Sequence, residues 1–178
     1  MKKLLLFILI LPLLANAQEG YPIDSVTNQI TYKETISIAG QKNVLYRKAK
    51  EWFVNSFNSG KDVIQLDDAS TGKLIGKSFF IVNTLERDAS GDLVHYDNSV
   101  WFTITINVKD GKYRYIISDF IVEYHYKQPG IPLETLLVQL SSEAVGTGSK
   151  LDFQLTPKKR IKDLIASLKK AMTANDDF

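Results

Sequence analysis

One segment constrains the fold of this 178-residue chain more than any other. Between residues 101 and 109, Phe102, Ile104, Ile106 and Val108 alternate strictly with Trp101, Thr103, Thr105, Asn107 and Lys109. A period of two gives a strand with one apolar and one polar face. Asp110-Gly111 follows, a strong two-residue hairpin signal whose type I′ turn asks for positive φ at both positions. The return strand, residues 112–126, is long and aromatic, and its apolar phase changes near Ser118-Asp119-Phe120, which predicts a bulge or bend there.

The flanking sequence supplies more strands and the helices to cover their apolar face. Residues 30–38 alternate Ile30, Tyr32, Ile36 and Ile38 with polar residues, Glu34 being the exception. After a break at residues 39–43, Leu45, Ala49, Trp52, Phe53 and Phe57 stand at helical spacing, and Ser59-Gly60 is the expected helix end. A short strand at 63–66, a turn at 67–72 and a strand at 73–82 form a hairpin; residues 86–92 are loop, and strand resumes at 94–109. Pro129 and Pro132 close the sheet. Leu133, Leu136, Leu137 and Leu140 predict a short helix or packed loop, and Gly146-Thr147-Gly148-Ser149 a flexible connector. Thr156-Pro157 reads as an N-cap with proline at the first helical position, opening a helix striped by Ile161, Leu164, Ile165, Leu168 and Met172. The expected class is α+β: a twisted antiparallel sheet with two helices on one face, in the order β-α-β-β-β-β-α.

Met1-Lys2-Lys3, the apolar run at 4–14 and Ala15-Asn16-Ala17 have the three parts of a secretory signal peptide, with cleavage expected after Ala17. The apolar run is too short to span a membrane. Residues 18–28 then form an extended N-terminal arm, residues 29–174 a single domain and residues 175–178 a frayed end. Of 22 basic residues two lie in the leader, so the mature 161 residues carry 20 basic and 20 acidic side chains and are formally neutral. Such a chain has no global positive field to draw in nucleic acid. Without cysteine there is no disulfide framework, thiolate nucleophile, zinc-thiolate site or acylated lipoprotein anchor. The expected location is the periplasm or the cell exterior.

Three stretches carry a resemblance that is strongest over residues 30–126: the helix Leu45-Tyr46-Arg47-Lys48-Ala49-Lys50-Glu51-Trp52-Phe53, the strand Trp101-Phe102-Thr103-Ile104-Thr105-Ile106, and residues 111–120. The chain resembles an exported bacterial family of unknown function with a TATA-binding-protein-like (TBP-like) fold. The resemblance implies that fold and carries no catalytic residue. It does not bring DNA binding with it, because the corresponding sheet face is expected to hold Thr103, Thr105 and Asn107.

Catalytic motifs are absent from the sequence: there is no G-x-S-x-G, Walker or Rossmann pattern, and Ser149 resembles a nucleophile elbow only superficially. His95, near Asp92 and Asp97, and His125, between two tyrosines, read as solvated or packed, so no catalytic residue, metal or cofactor is assigned. Asp67, Asp68, Glu86, Asp88 and Asp92 fall in turns, and a hydrolase would need such acids to converge in the fold. Trp101, Tyr113, Arg114, Tyr115 and Tyr124 cluster around the last hairpin and are the candidate binding residues, since aromatics with arginine favour interfaces. Lys158, Lys159, Arg160, Lys162, Lys169 and Lys170 make the last helix basic, a face more in keeping with solvation than with a lipid surface. The functional expectation is a non-catalytic envelope binding or assembly module whose partner is an envelope protein or glycan. The alternatives are a hydrolase with converging acids and a purely structural domain.

Overall fold

The structure, a computed structural model, describes residues 20–57, 63–87, 90–124, 129–142 and 147–174. Tyr32–Ser37 (β1) leads into the helix Lys42–Ser56 (α1), followed by Ile64–Asp68 (β2), Lys73–Arg87 (β3), Leu93–Lys109 (β4) and Lys112–Glu123 (β5). The two-residue strand Ile131–Pro132 (β6) and the helices Leu133–Ser142 (α2) and Thr147–Thr173 (α3) complete the chain. The sheet is antiparallel in the order β1-β5-β4-β3-β2, with β6 pairing the far end of β5. This is the expected α+β architecture with one more helix and one more short strand than the sequence suggested. The expected signal peptide, the Ser59-Gly60 helix end, Asp88, His125 and residues 175–178 lie outside the described residues.

Alternation on β4 does what its pattern demands. Val100, Phe102, Ile104, Ile106 and Val108 are buried against the helices, while Trp101, Thr103, Thr105 and Asn107 line the opposite face. The core is closed by Leu45, Ala49, Trp52 and Phe53 of α1, Leu133, Leu136 and Leu140 of α2, and Phe153, Ile161, Leu168 and Met172 of α3. On β5 the phase change is real. Tyr113, Tyr115 and Ile117 are buried, then Phe120 and Val122. The switch occurs at a register shift between Trp101 and Thr103 of β4, opposite Asp119, whose φ of 56° is the left-handed conformation of a bulge residue.

Three sequence expectations are corrected. The β4–β5 turn has positive φ at Gly111 (72°) but not at Asp110, the pattern of a type II rather than a type I′ turn. Asp110 Oδ1 instead accepts a hydrogen bond from Lys42 N at 2.6 Å and caps α1, whose own N-cap residue, Gln41, makes no side-chain cap. The arm at 18–28 does not stay extended: Ile23 bridges Ile30, and Asp24 Oδ1 accepts from Val26 N and Thr27 N to turn the chain back.

The third correction concerns Pro157, which lies inside α3 and does not open it: the helix starts at Thr147, within the stretch expected to be a flexible connector. A proline has no N–H, so the carbonyl four residues earlier, that of Phe153, loses its helical partner. The Tyr21 hydroxyl donates to that oxygen at 2.9 Å, and the Lys158 ammonium sits 4.7 Å from the centre of the Tyr21 ring. The turned-back arm thus supplies what the proline removed, and the helix runs on through its apolar stripe. Tyr21→Phe keeps the ring and deletes the donor; it is expected to lower stability by about 1–2 kcal/mol in urea unfolding. An unchanged midpoint would show that the carbonyl does not need this partner.

Candidate functional site

All three helices pack on one side of the sheet, and among the described residues nothing covers the other. Trp101 of β4 stands at the centre of that open face, half-buried. It is opposite Phe79 of β3 and Ile121 of β5. The Phe79 and Trp101 rings are tilted at 45° with centroids 4.7 Å apart, and Lys77 Nζ lies 5.4 Å from the indole centre. Trp101 Nε1 donates to Glu123 Oε2 at 2.7 Å, fixing the plane of the ring. Phe79, Ile81 and Leu85 are all exposed on β3, with 47%, 37% and 41% of their surfaces in water. Phe79 and Ile81, contiguous with an oriented tryptophan, form a patch of the kind most monomeric surfaces avoid, while Leu85 stands roughly 20 Å along β3 from Phe79, beyond Asn83.

The five sequence candidates divide between three places. Trp101 and Arg114 are on the open face, but six residues of β4 separate Trp101 from Asn107, the residue opposite Arg114, a span of roughly 20 Å. Tyr113 and Tyr115 are corrected: they are 1% and 4% exposed and belong to the core, because they share the phase of Ile117 and not that of Arg114. Tyr124 is half-buried with its ring edge-on to Phe153, centroids 6.3 Å apart. Phe79, Lys77 and Ile81 take the place of the two lost tyrosines. Thr103, Thr105 and Asn107 lie on the open face as expected, though among aromatic and basic neighbours.

Tyr115 explains the anomalous Glu34. Its hydroxyl donates to Glu34 Oε2 at 2.8 Å, and Lys169 Nζ of α3 reaches the same oxygen at 2.7 Å. The Lys169 ammonium, and then the tyrosine, hold the Glu34 carboxyl below its ordinary range; burial first, and then Glu34, pushes the Tyr115 phenol well up. Glu34 therefore faces the helix side at the solvent-exposed rim of the core, joining β1, β5 and α3. Lys159 pairs with Asp163 at 3.3 Å, so Lys158, Lys159 and Lys169 of the basic helix all have partners within the fold.

Among the described residues, Asp67 and Asp68 do not converge with Glu86. Asp67 binds Lys50 Nζ at 2.6 Å and the Tyr46 hydroxyl at 2.5 Å, and Asp68 closes the β2–β3 turn. Bonds from the Ser70 hydroxyl and then Thr71 hold Asp68 down to about 2. Glu86, which accepts from Thr84 Oγ1 at 2.9 Å, lies at the other end of β3, roughly 40 Å away along the strand. His95 is opposite Leu85, and no group of three metal-ligating side chains occurs among the described residues. One polar pair had no sequence signal: Asn98, fully buried, donates from Nδ2 to Thr84 Oγ1 at 2.9 Å. It continues the even, inward phase of β4 in a stretch that reads simply as polar.

An antiparallel sheet covered on one side by the helices described, with an aromatic open face, defines an α+β architecture of the TBP-like class. The chain belongs to the family described as a domain of unknown function (DUF4468) with TBP-like fold, whose model matches residues 32–123. The crystal structure of a DUF4468 family protein from Bacteroides ovatus is similar, with a TM-score of 0.63 at 15% identity over 88% of this chain and 93% of that one. A TBP-like protein from Parabacteroides distasonis gives a TM-score of 0.64 at 16% identity over 88% and 100%. These likenesses establish the fold. No curated protein matches the chain.

Proposed function

We propose that this protein is an exported, non-catalytic binding module of the cell envelope, which recognises an envelope protein or glycan through the open sheet face around Trp101. The observation that carries the reading is the Phe79–Trp101 pair with Ile81 beside it, exposed on a face that no helix covers among the described residues. A tryptophan oriented by its own hydrogen bond is a preorganised contact, and aromatic anchors dominate binding energies. The leader at residues 1–17 supports export, and the formally neutral mature chain argues against nucleic acid as the partner. No helix among the described residues is long and apolar enough to cross a membrane.

The test is affinity capture from the envelope fraction, comparing the protein with its Phe79→Ala plus Trp101→Ala variant. The wild type is expected to retain a specific partner that the double variant loses. The variant should remain folded, because the aromatic pair contributes only about 0.5–1.5 kcal/mol beyond its buried area. Capture of the same partner by both forms, or of nothing by either, overturns the assignment of this face.

A further inference from the structure

A second feature of the open face lies at its other end and does not depend on the Trp101 surface. Where β1, β5 and β4 meet the Asp110-Gly111 turn, a cleft of about 340 Å³ is lined by Thr35, Asn107, Lys109, Lys112, Tyr113 and Arg114. The register puts Lys109 opposite Lys112, Asn107 opposite Arg114, and Thr35 opposite Arg114 on its other side. Three full positive charges therefore share one corner of the sheet, with no acid lining the cleft. The nearest carboxylate in sequence, Asp110, is committed to Lys42 N at the start of α1. Like charges directly opposite on neighbouring strands destabilise a sheet, so the fold alone gives no reason for this arrangement.

The hydrogen bonding is asymmetric in an informative way. Arg114 Nε donates to Thr35 Oγ1 at 2.8 Å, which orients the guanidinium and leaves both terminal nitrogens without a partner among the described residues. Thr35, acting there as acceptor, keeps its own hydroxyl proton to give. Lys109 and Lys112 contribute two ammonium groups, and Asn107 an amide. No carboxylate among the lining residues competes for these donors. A carboxylate would bring one negative charge to three positive ones, whereas a phosphate monoester brings about −1.5 to −2 together with three acceptor oxygens. The terminal fork of arginine matches phosphate geometry, lysine serves it as a point charge, and the cleft volume is at the lower end of the range for small-ligand sites.

We propose that the Thr35–Asn107–Lys109–Lys112–Arg114 cleft is a binding site for a phosphate monoester. The phosphate is carried either on a small soluble molecule such as a sugar phosphate or on a lipid headgroup, and the two sources are separable. Glucose 1-phosphate and inorganic phosphate serve as soluble probes; vesicles containing phosphatidic acid, against phosphatidylcholine alone, serve as the lipid probe. Titration of the isotope-labelled protein, recovered after export, is followed by backbone amide shifts.

Shifts concentrated at residues 35, 107, 109, 112 and 114, weakening with salt, are expected with the soluble probes. Co-sedimentation with phosphatidic acid vesicles and weak soluble binding would assign the lipid source. Lys112→Gln plus Arg114→Gln is expected to weaken binding at least about tenfold. Trp101→Ala should leave it unchanged, so failure of this site and failure of the Trp101 surface are told apart. The proposal is overturned if neither probe moves these amides nor the vesicles retain the protein, if glucuronate binds as tightly as glucose 1-phosphate, or if the double variant binds like the wild type. Should that variant not fold, the wild-type shifts decide by themselves.

Discussion

Replacing Phe53 with alanine is expected to lower the unfolding free energy by about 3–5 kcal/mol, the range for deleting a fully enclosed aromatic ring. Phe53 has no exposed surface and lies edge-on to Trp52 with centroids 5.1 Å apart. Its position over the sheet is set by Gly76 of β3, where a Cβ would come within 2.4 Å of Phe53 Cε1. Glycine here is room for the ring, and not a turn. The cavity left by alanine is floored by sheet backbone paired on both sides, Gly76 to Ile104 and to Ile64, so it cannot collapse cheaply.

Gly76→Val tests the same contact from the opposite side and is expected to cost about 1–3 kcal/mol by overpacking. The two changes should compensate. Valine methyls at position 76 enter the space that Phe53→Ala vacates, so the double variant is expected to be more stable than the sum of the single losses predicts, by at least about 0.5 kcal/mol. Urea unfolding of the four proteins measures the coupling. Strict additivity would mean that ring and glycine do not share that space.

The contact also shows what the sequence could and could not reveal. The apolar stripe of α1 and the alternation of β4 were legible because each is a local period, repeated every 3.6 or 2 residues. The bulge at Asp119 was legible for the same reason, as a broken period. What closes the fold is not periodic. Asp110 caps α1 across 68 residues, Glu134 meets Ile30 across 104, and Tyr21 meets Phe153 across 132. With the Tyr21 donor invisible, Thr156-Pro157 could only read as a helix start.

The candidate binding surface was half legible. Trp101 and Arg114 sit on the polar phase of well-patterned strands, and the same alternation assigns Tyr113 and Tyr115 to the core once each residue is given its own phase. Phe79 and Ile81 were missed because residues 79–82 are apolar on both phases, Phe79-Phe80-Ile81-Val82, which hides the period. That double-sided pattern was itself the signal. A strand apolar on both faces, in a sheet whose helices all lie on one side, must show one apolar row to water.

Glu134→Ala is the second substitution expected to have a large effect, roughly 1.5–3 kcal/mol, the value of a hydrogen bond to a charged group. Glu134 lies in the first turn of α2, and its Oε1 accepts from Ile30 N at 2.5 Å. Ile30 is fully buried, so alanine would leave its N–H with neither protein nor water to bond. The same carboxylate also favours the positive end of α2, and the two contributions can be separated. Glu134→Gln keeps an acceptor oxygen but loses the charge. If the buried N–H dominates, glutamine recovers most of the stability; if the helix end dominates, glutamine is as damaging as alanine. The local readout is hydrogen exchange at Ile30 and at Thr31, whose N–H bonds Pro22 O at 2.9 Å. Both amides should lose protection in Glu134→Ala before the β4–β5 amides do, because the arm that bears Tyr21 is held to the domain through this bond. Equal protection in the two proteins would mean that the arm is held elsewhere and that Glu134 serves α2 alone.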